Sequence, residues 1–180
     1  GNAYPHKNLE MLVSAFEDFV HSEKVHEEFR LVLVGKDDFF YRRLKTAVNN
    51  RKLDKNILFV GQTDDETLHE LYKHARALVF PSLMEGFGLP ALEAVSLGTP
   101  VVCSDIPIFH EILGSFPVYM NPNDRKDIIR CLLSVSKNTK KGGVGTMKEI
   151  DSVVEGYSWK QLGIDTIALY NQFSRHISNV

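Results

Sequence analysis

Apolar residues recur along this chain in two rhythms that take turns. Leu9, Leu12, Val13, Phe16, Phe19 and Val20 fall three and four apart, the spacing of one helix face. Residues 29–34, apolar except for Arg30, lead up to Gly35 and predict a strand. Residues 37–50 return to the helical rhythm, with Leu44 and Val48 inward. Residues 57–60 predict the next strand, closed by Gly61, and Thr63 and Glu66 have the spacing of a capping box for a helix over 64–75. Residues 77–80 predict a strand, followed by a loop and a helix that opens at about Pro90, stops at Gly98 and is barred from continuing by Pro100. Residues 101–104 read as another buried strand. Asp105 is placed to cap a helix that Pro107 begins and Gly114 ends, and 117–120 reads as a short strand. Residues 124–135 form an amphipathic pattern with Ile128, Ile129, Leu132 and Leu133 inward. Residues 137–146, rich in lysine and glycine, predict a mobile loop. Ser158 opens a last helix to about residue 177, with Trp159, Leu162, Leu169, Tyr170 and Phe173 on its apolar face and Thr166 as the polar interruption.

Strands that alternate with helices predict an α/β fold: a doubly wound, parallel, Rossmann-like sheet of about six strands with flanking helices. The 180 residues suffice for one domain with its own core, so residues 1–180 are read as a single domain. Such a domain starts with a strand that delivers its first loop. The loop at Gly1 has none before it, so the chain is expected to lack its first strand.

Composition narrows the function classes. The formal net charge is −2, so no basic excess points to nucleic acid and no polybasic tract to a membrane. No apolar run approaches the ~20 residues of a membrane span, and the polar N-terminus shows no signal peptide. A cytoplasmic protein is expected. Cys103 and Cys131 lie in apolar segments without zinc-type spacing and read as reduced core thiols.

The chemistry concentrates in residues 81–104. Gly86 and Gly88 allow close backbone approach to a ligand in the loop between strand and helix. The helix behind them carries roughly half a positive charge at its N-terminus and several unpaired N–H donors, a setting that favours phosphate. Glu85 and Glu93 flank it, and carboxylates accept hydrogen bonds from hydroxyls. An anion cradle between hydroxyl acceptors points to a ligand with both phosphate and sugar, at the carboxyl end of a strand where α/β sheets bind ligands.

The run Glu85-Gly86-Phe87-Gly88-Leu89, then Glu93, then Gly98-Thr99-Pro100-Val101-Val102 resembles the donor-site signature of the family 4 retaining glycosyltransferases of GT-B fold. Glu85 and Glu93 stand 93 − 85 = 8 positions apart, as in that family's Glu-x7-Glu motif. The resemblance covers nearly the whole chain and corresponds to the family's C-terminal, donor-binding domain. It implies transfer of a hexose from a nucleotide diphosphate sugar, GDP- or UDP-linked, to an acceptor hydroxyl with retention. Lys7 would contact the diphosphate, Glu85 the sugar hydroxyls and Glu93 the ribose hydroxyls, with Lys7 and Glu85 as the catalytic candidates. The backbone of Gly86, Phe87, Gly88 and Leu89 would cradle the pyrophosphate, and Gly61, Gln62 and Thr63 would meet the base. Asn2 stands near a place where the family often has an arginine; that departure shifts charge neutralisation to Lys7 and the helix dipole. The opening Gly-Asn-x-x-x-His-Lys-Asn-Leu is similar to bacterial mannosyltransferase-like members and tips the donor toward GDP-mannose. The resemblance implies no cofactor and no metal. The partner it implies is the chain's own N-terminal, acceptor-binding domain, to which the final helix crosses back; any membrane contact would come through that half. The chain alone is expected to bind donor weakly and not to transfer sugar.

Other readings are weaker. A glycosidase pair needs carboxyls roughly 5 to 9.5 Å apart, whereas eight residues at helical rise span about 12 Å. Half of a sugar-nucleotide epimerase would need an acid/base cluster that the sequence lacks. A non-catalytic nucleotide-binding or interaction domain is opposed by the joint presence of Lys7, Glu85 and Glu93. The Gly-x-Gly-x-x-Gly turn of dinucleotide-binding domains is missing. His6 reads as a turn residue, Asp37-Asp38 resembles a metal pair by composition alone, and His110-Glu111 reads as capping or surface.

Overall fold

The structure, a computed structural model, describes residues 1–22, 25, 28–137, 154, 157, 160–164, 166 and 167. They fall into two compact units, Gly1–Val144 and Gly145–Val180. The first holds a 3₁₀ turn (Pro5–Lys7), helices α1 (Leu9–Val20), α2 (Phe39–Asn50), α3 (Asp65–His74), α4 (Leu89–Ser96), α5 (Pro107–Leu113) and α6 (Arg125–Ser136), and strands β1 (Leu31–Val34), β2 (Ile57–Gly61), β3 (Leu78–Phe80), β4 (Val101–Ser104) and β5 (Val118–Met120). In the second, residues 160–164, 166 and 167 are helical, and the Thr166 hydroxyl donates to the Leu162 carbonyl at 2.7 Å. The expected loop lies outside the described residues from 138 on. So does the rest of the expected last helix, with Trp159, Leu169, Tyr170 and Phe173.

All the described strand pairs are parallel, as the alternation with helices requires. The described strands number five, not about six, and they form two ladders: β1 beside β2, and β3-β4-β5. Strand character is set by local residues, whereas pairing is decided by distant ones, so the sequence carries the first better than the second. The Gly1 amino group donates to the Val34 carbonyl at 2.7 Å, so the first residues run past the end of β1.

Strand β4 is buried at all four positions. Val102 joins a cluster in which α1 (Leu12, Val13, Phe16, Phe19) packs against α6 (Ile128, Cys131, Leu132, Val135). Its neighbours Val101 and Cys103 point to the opposite face and are equally buried. Both faces of the strand are therefore covered, as in parallel sheets generally. Each large side chain buried this way contributes about 1.5–3 kcal/mol. Cys103 and Cys131 are free thiols within these packed layers.

Two predicted helix starts move and a third helix starts as expected but without its expected cap, each for a hydrogen-bonding reason. Asp64, not Thr63, caps α3, its carboxylate accepting from the Thr67 N–H at 2.8 Å. Asp38 caps α2 by accepting from the Tyr41 N–H at 2.9 Å, so that helix begins at Phe39. Asp105 does not cap α5; Ile106 occupies the cap position ahead of Pro107, and the Asp105 carboxylate turns to His110 Nε2 at 2.6 Å.

Candidate functional site

The lysine turn is built by Pro5 and closed by two backbone bonds, Lys7 N–H to the Tyr4 carbonyl (2.8 Å) and Asn8 N–H to the Pro5 carbonyl (3.0 Å). Asn8 adopts the left-handed conformation (φ 56°), which asparagine tolerates better than most residues, and swings the chain into α1. Its side chain donates to the Pro122 carbonyl at 2.8 Å, which ties this corner to the loop after β5. Lys7 Nζ lies 2.6 Å from Glu85 Oε1, with the two side chains only 19% and 10% exposed. It also stands 5.4 Å from the centre of the Phe80 ring. The Leu83 N–H donates to the His6 carbonyl at 2.8 Å, so backbone and side chains both stitch the lysine turn to the glutamate loop. The backbone of His6 thus acts in a turn, as its position in the sequence leads one to expect.

The glycine loop follows β3. Gly88 caps α4 with φ 91°, and a Cβ placed on it would stand 2.6 Å from Phe109 Cε1. Pro90 occupies the first turn, and no acidic residue sits there to neutralise the helix terminus. Glu93 is beyond that turn, on the exposed side of α4, so its place owes nothing to the dipole. It accepts a hydrogen bond of 3.1 Å from the Tyr72 hydroxyl of α3. The Tyr72 carbonyl in turn accepts from the buried Thr99 hydroxyl at 2.8 Å, which gives the threonine of Gly-Thr-Pro a structural task. Burial, then the charge of Glu93 and the hydrogen bond to it, push the Tyr72 pKa up, so the hydroxyl keeps its proton and remains a donor. Sequence reasoning missed Tyr72. Its signal was faint: Leu68 and Tyr72 share a face of α3 at i, i+4 in a stretch otherwise dominated by charge.

Lys7 and Glu93 act on one locus. The Gly1 ammonium is pushed below its ordinary value by burial and then by the Lys7 charge, while Glu93 pulls it the other way. Lys7, which holds Glu85, and Glu93 both lie within electrostatic reach of the Gly1 ammonium, so this neighbourhood carries two cations and two carboxylates. Gly86 and Leu89 are exposed at its rim, and Phe87 is half-buried between the glycines. Asn2 is half-buried nearby in sequence to the lysine turn; its Oδ1 and the Ser82 hydroxyl are buried and lack a hydrogen-bond partner among the described residues.

Gly61, Gln62 and Thr63 stand at the end of β2 in the other ladder, joined to the Gly1 end of the chain through Gly35. Gly61 is left-handed (φ 83°). Its N–H donates to the Tyr41 hydroxyl at 3.2 Å, and its carbonyl accepts from the Gly35 N–H at 2.9 Å. The Tyr41 hydroxyl donates onward to the Leu33 carbonyl at 2.8 Å. Gln62 is exposed and Thr63 half-buried. Asp38 is occupied as a helix cap and Asp37 lies 3.9 Å from Arg42, so this acidic pair has structural partners. His110 is held by Asp105 and stacks on Tyr119 with ring centres 4.0 Å apart.

A family model described as "Glycosyl transferases group 1" matches residues 1–142. The O-antigen chain mannosyltransferase RfbU of Salmonella typhimurium is 38% identical over 128 residues, which cover 70% of this chain and 34% of that protein. The O-antigen chain mannosyltransferase B of Escherichia coli is 30% identical over 174 residues, 94% of this chain and 44% of its own. The chain thus spans between a third and a half of the length of these two relatives. Among solved structures, the sucrose-phosphate synthase of Thermosynechococcus elongatus superposes with a TM-score of 0.81 at 26% identity, over 98% of this chain and 44% of that one.

Proposed function

The chain belongs to the group 1 glycosyl transferases, and from that membership we propose that it forms the donor-binding half of a retaining hexosyltransferase. The donor is a nucleotide diphosphate sugar. The names of the two O-antigen relatives support mannose, and with it GDP. The observation that carries the reading is the Lys7–Glu85 contact of 2.6 Å beside a helix N-terminus free of acidic residues.

As the glycosidic bond breaks, negative charge grows on the departing diphosphate. Lys7, the amides of Gly86 to Leu89 and the α4 dipole are fixed donors at that place and stabilise the transition state more than the ground state. Glu85 takes the sugar hydroxyls and Glu93, held by Tyr72, the ribose hydroxyls. Asn2 adds a polar group without charge where the diphosphate is neutralised. Because the Gly61 N–H is engaged by Tyr41, contact with the base falls to Gln62 and Thr63. No nucleophile is required if the acceptor attacks the same face that the diphosphate leaves, with a diphosphate oxygen taking its proton. The acceptor and any membrane surface are met by a further, N-terminal domain, and the reaction is placed in the cytoplasm. The reading needs neither metal nor cofactor.

Calorimetric titration with GDP, UDP and ADP tests this reading. One nucleotide, expected to be GDP, binds, and Glu93→Ala weakens it by about tenfold through the lost ribose contacts. Failure of all three to bind would favour an interaction domain that has kept only the fold.

A further inference from the structure

We propose that the Lys7–Glu85 ion pair makes the site discriminate against a bare nucleoside diphosphate and in favour of one that carries a sugar. The inference rests on the donor-site reading above and deepens it, by naming what sets the order of affinities between donor and product.

The two side chains meet at 2.6 Å while 19% and 10% exposed. Neither can be left alone at little cost, because a carboxylate kept from water needs donors. They cannot simply drift apart either. The Leu83–His6 backbone bond of 2.8 Å clamps their two loops, and the Phe80 ring lies 5.4 Å from Lys7 Nζ. A diphosphate that draws Lys7 toward itself therefore takes a donor from Glu85. A bare nucleoside diphosphate brings nothing in exchange, since its phosphate oxygens only accept. A hexose brings hydroxyls, which are donors that satisfy the vacated carboxylate. The same pair that holds Lys7 in place before binding thus taxes the product and spares the donor. After transfer the departed sugar leaves Glu85 unsatisfied, and recapture of Lys7 by Glu85 favours release of the diphosphate.

The test is a titration series with GDP and GDP-mannose on the chain, on Glu85→Gln, on Lys7→Ala and on the double variant. Glutamine keeps the shape of the side chain and carries no charge, so it does not hold the lysine as an ion pair. The expected result is that Glu85→Gln tightens GDP by about tenfold and GDP-mannose by much less. On the Lys7→Ala background the same substitution changes GDP affinity by less than about twofold, because there is no lysine to release. Glu85→Asp, which withdraws the carboxylate by one methylene, moves GDP in the same direction by a smaller factor and serves if the glutamine variant folds poorly. GDP affinity unchanged or weakened in Glu85→Gln overturns the proposal. An equal gain on the Lys7→Ala background also overturns it, since simple repulsion by the carboxylate would then explain the effect. If GDP binds and Lys7→Ala abolishes that binding while Glu85→Gln leaves it unmoved, the donor-site reading stands and this inference alone falls. If neither ligand binds any variant, both fall.

Discussion

Gly88 rests edge-on against Phe109: a Cβ at this glycine would lie 2.6 Å from Phe109 Cε1 and 3.3 Å from Cδ1. Phe109 is fully buried and packs against Phe80 with ring centres 5.4 Å apart, and Phe80 in turn underlies Lys7. One aromatic pair therefore spaces the glycine turn from the lysine. Gly88→Ala meets two obstacles, the left-handed φ of 91° and a ring that has nowhere to go. The expected loss is about 1–3 kcal/mol, read by urea denaturation. Gly86→Ala, where a Cβ would find nothing within 4 Å, is expected to leave stability nearly unchanged. Equal effects at the two glycines would refute the packing account.

Much of this fold could be read from the sequence, and what could not be read shares a cause. Leu12, Val13, Phe16 and Phe19 announce α1 by their spacing, and all are buried. The glycine loop, its helix and the carboxylates on either side are visible as a continuous stretch. By contrast, nothing local tells that Gly88 faces Phe109, that Thr99 reaches the Tyr72 carbonyl, or that β2 and β3 belong to different ladders. Those facts depend on residues distant along the chain. The misplaced caps at Thr63 and Asp105 show the same limit at short range. At α3 neighbouring side chains compete for one set of free N–H groups and Asp64 wins by geometry, whereas at α5 the Asp105 carboxylate pairs with His110 and no side chain caps the helix.

Tyr72→Phe removes the donor that orients Glu93 and keeps the ring. The bond from the Thr99 hydroxyl to the Tyr72 carbonyl does not depend on the tyrosine hydroxyl. Stability should therefore change by less than about 0.5 kcal/mol. Nucleotide affinity should fall about fivefold, near 1 kcal/mol, the usual worth of one hydrogen bond to a carboxylate near solvent. Calorimetry and thermal unfolding on the same sample separate the two quantities. An unchanged affinity would mean that Glu93 needs no orientation from α3, or does not meet the nucleotide.

Incubation of the chain with GDP-mannose and candidate glycan acceptors is expected to give no transfer. Every group proposed above acts on the donor, and none is assigned to hold or deprotonate an acceptor. Addition of a segment homologous to the remaining length of the O-antigen relatives should restore turnover. Detection of glycosidic product by mass spectrometry from the chain alone would place an acceptor subsite on these residues.

Stability should fall on the alkaline side, through the core thiols. Burial raises Cys103 from 9.0 to about 12, helped by the Asp105 charge, and burial raises Cys131 from 9.0 to about 11. Below about pH 9 both states hold these protons, and no pH dependence arises from them. Above it the unfolded chain releases protons that the folded chain keeps, so the unfolded state is favoured increasingly as pH rises. The slope approaches about 1.4 kcal/mol per pH unit for each group inside its window and ends once the folded value is passed. By pH 11 the two groups together remove about 5 kcal/mol, the lower end of a typical stability of about 5–15 kcal/mol. Urea midpoints from pH 8 to 11 measure this. Cys103→Ala lowers the starting stability by leaving a small cavity yet flattens the alkaline slope, a pair of opposite effects that a purely structural cysteine would not produce. A flat profile in the parent chain, or rapid reaction of both thiols with a disulfide reagent at pH 8, would show that the thiols are not held protonated by the fold.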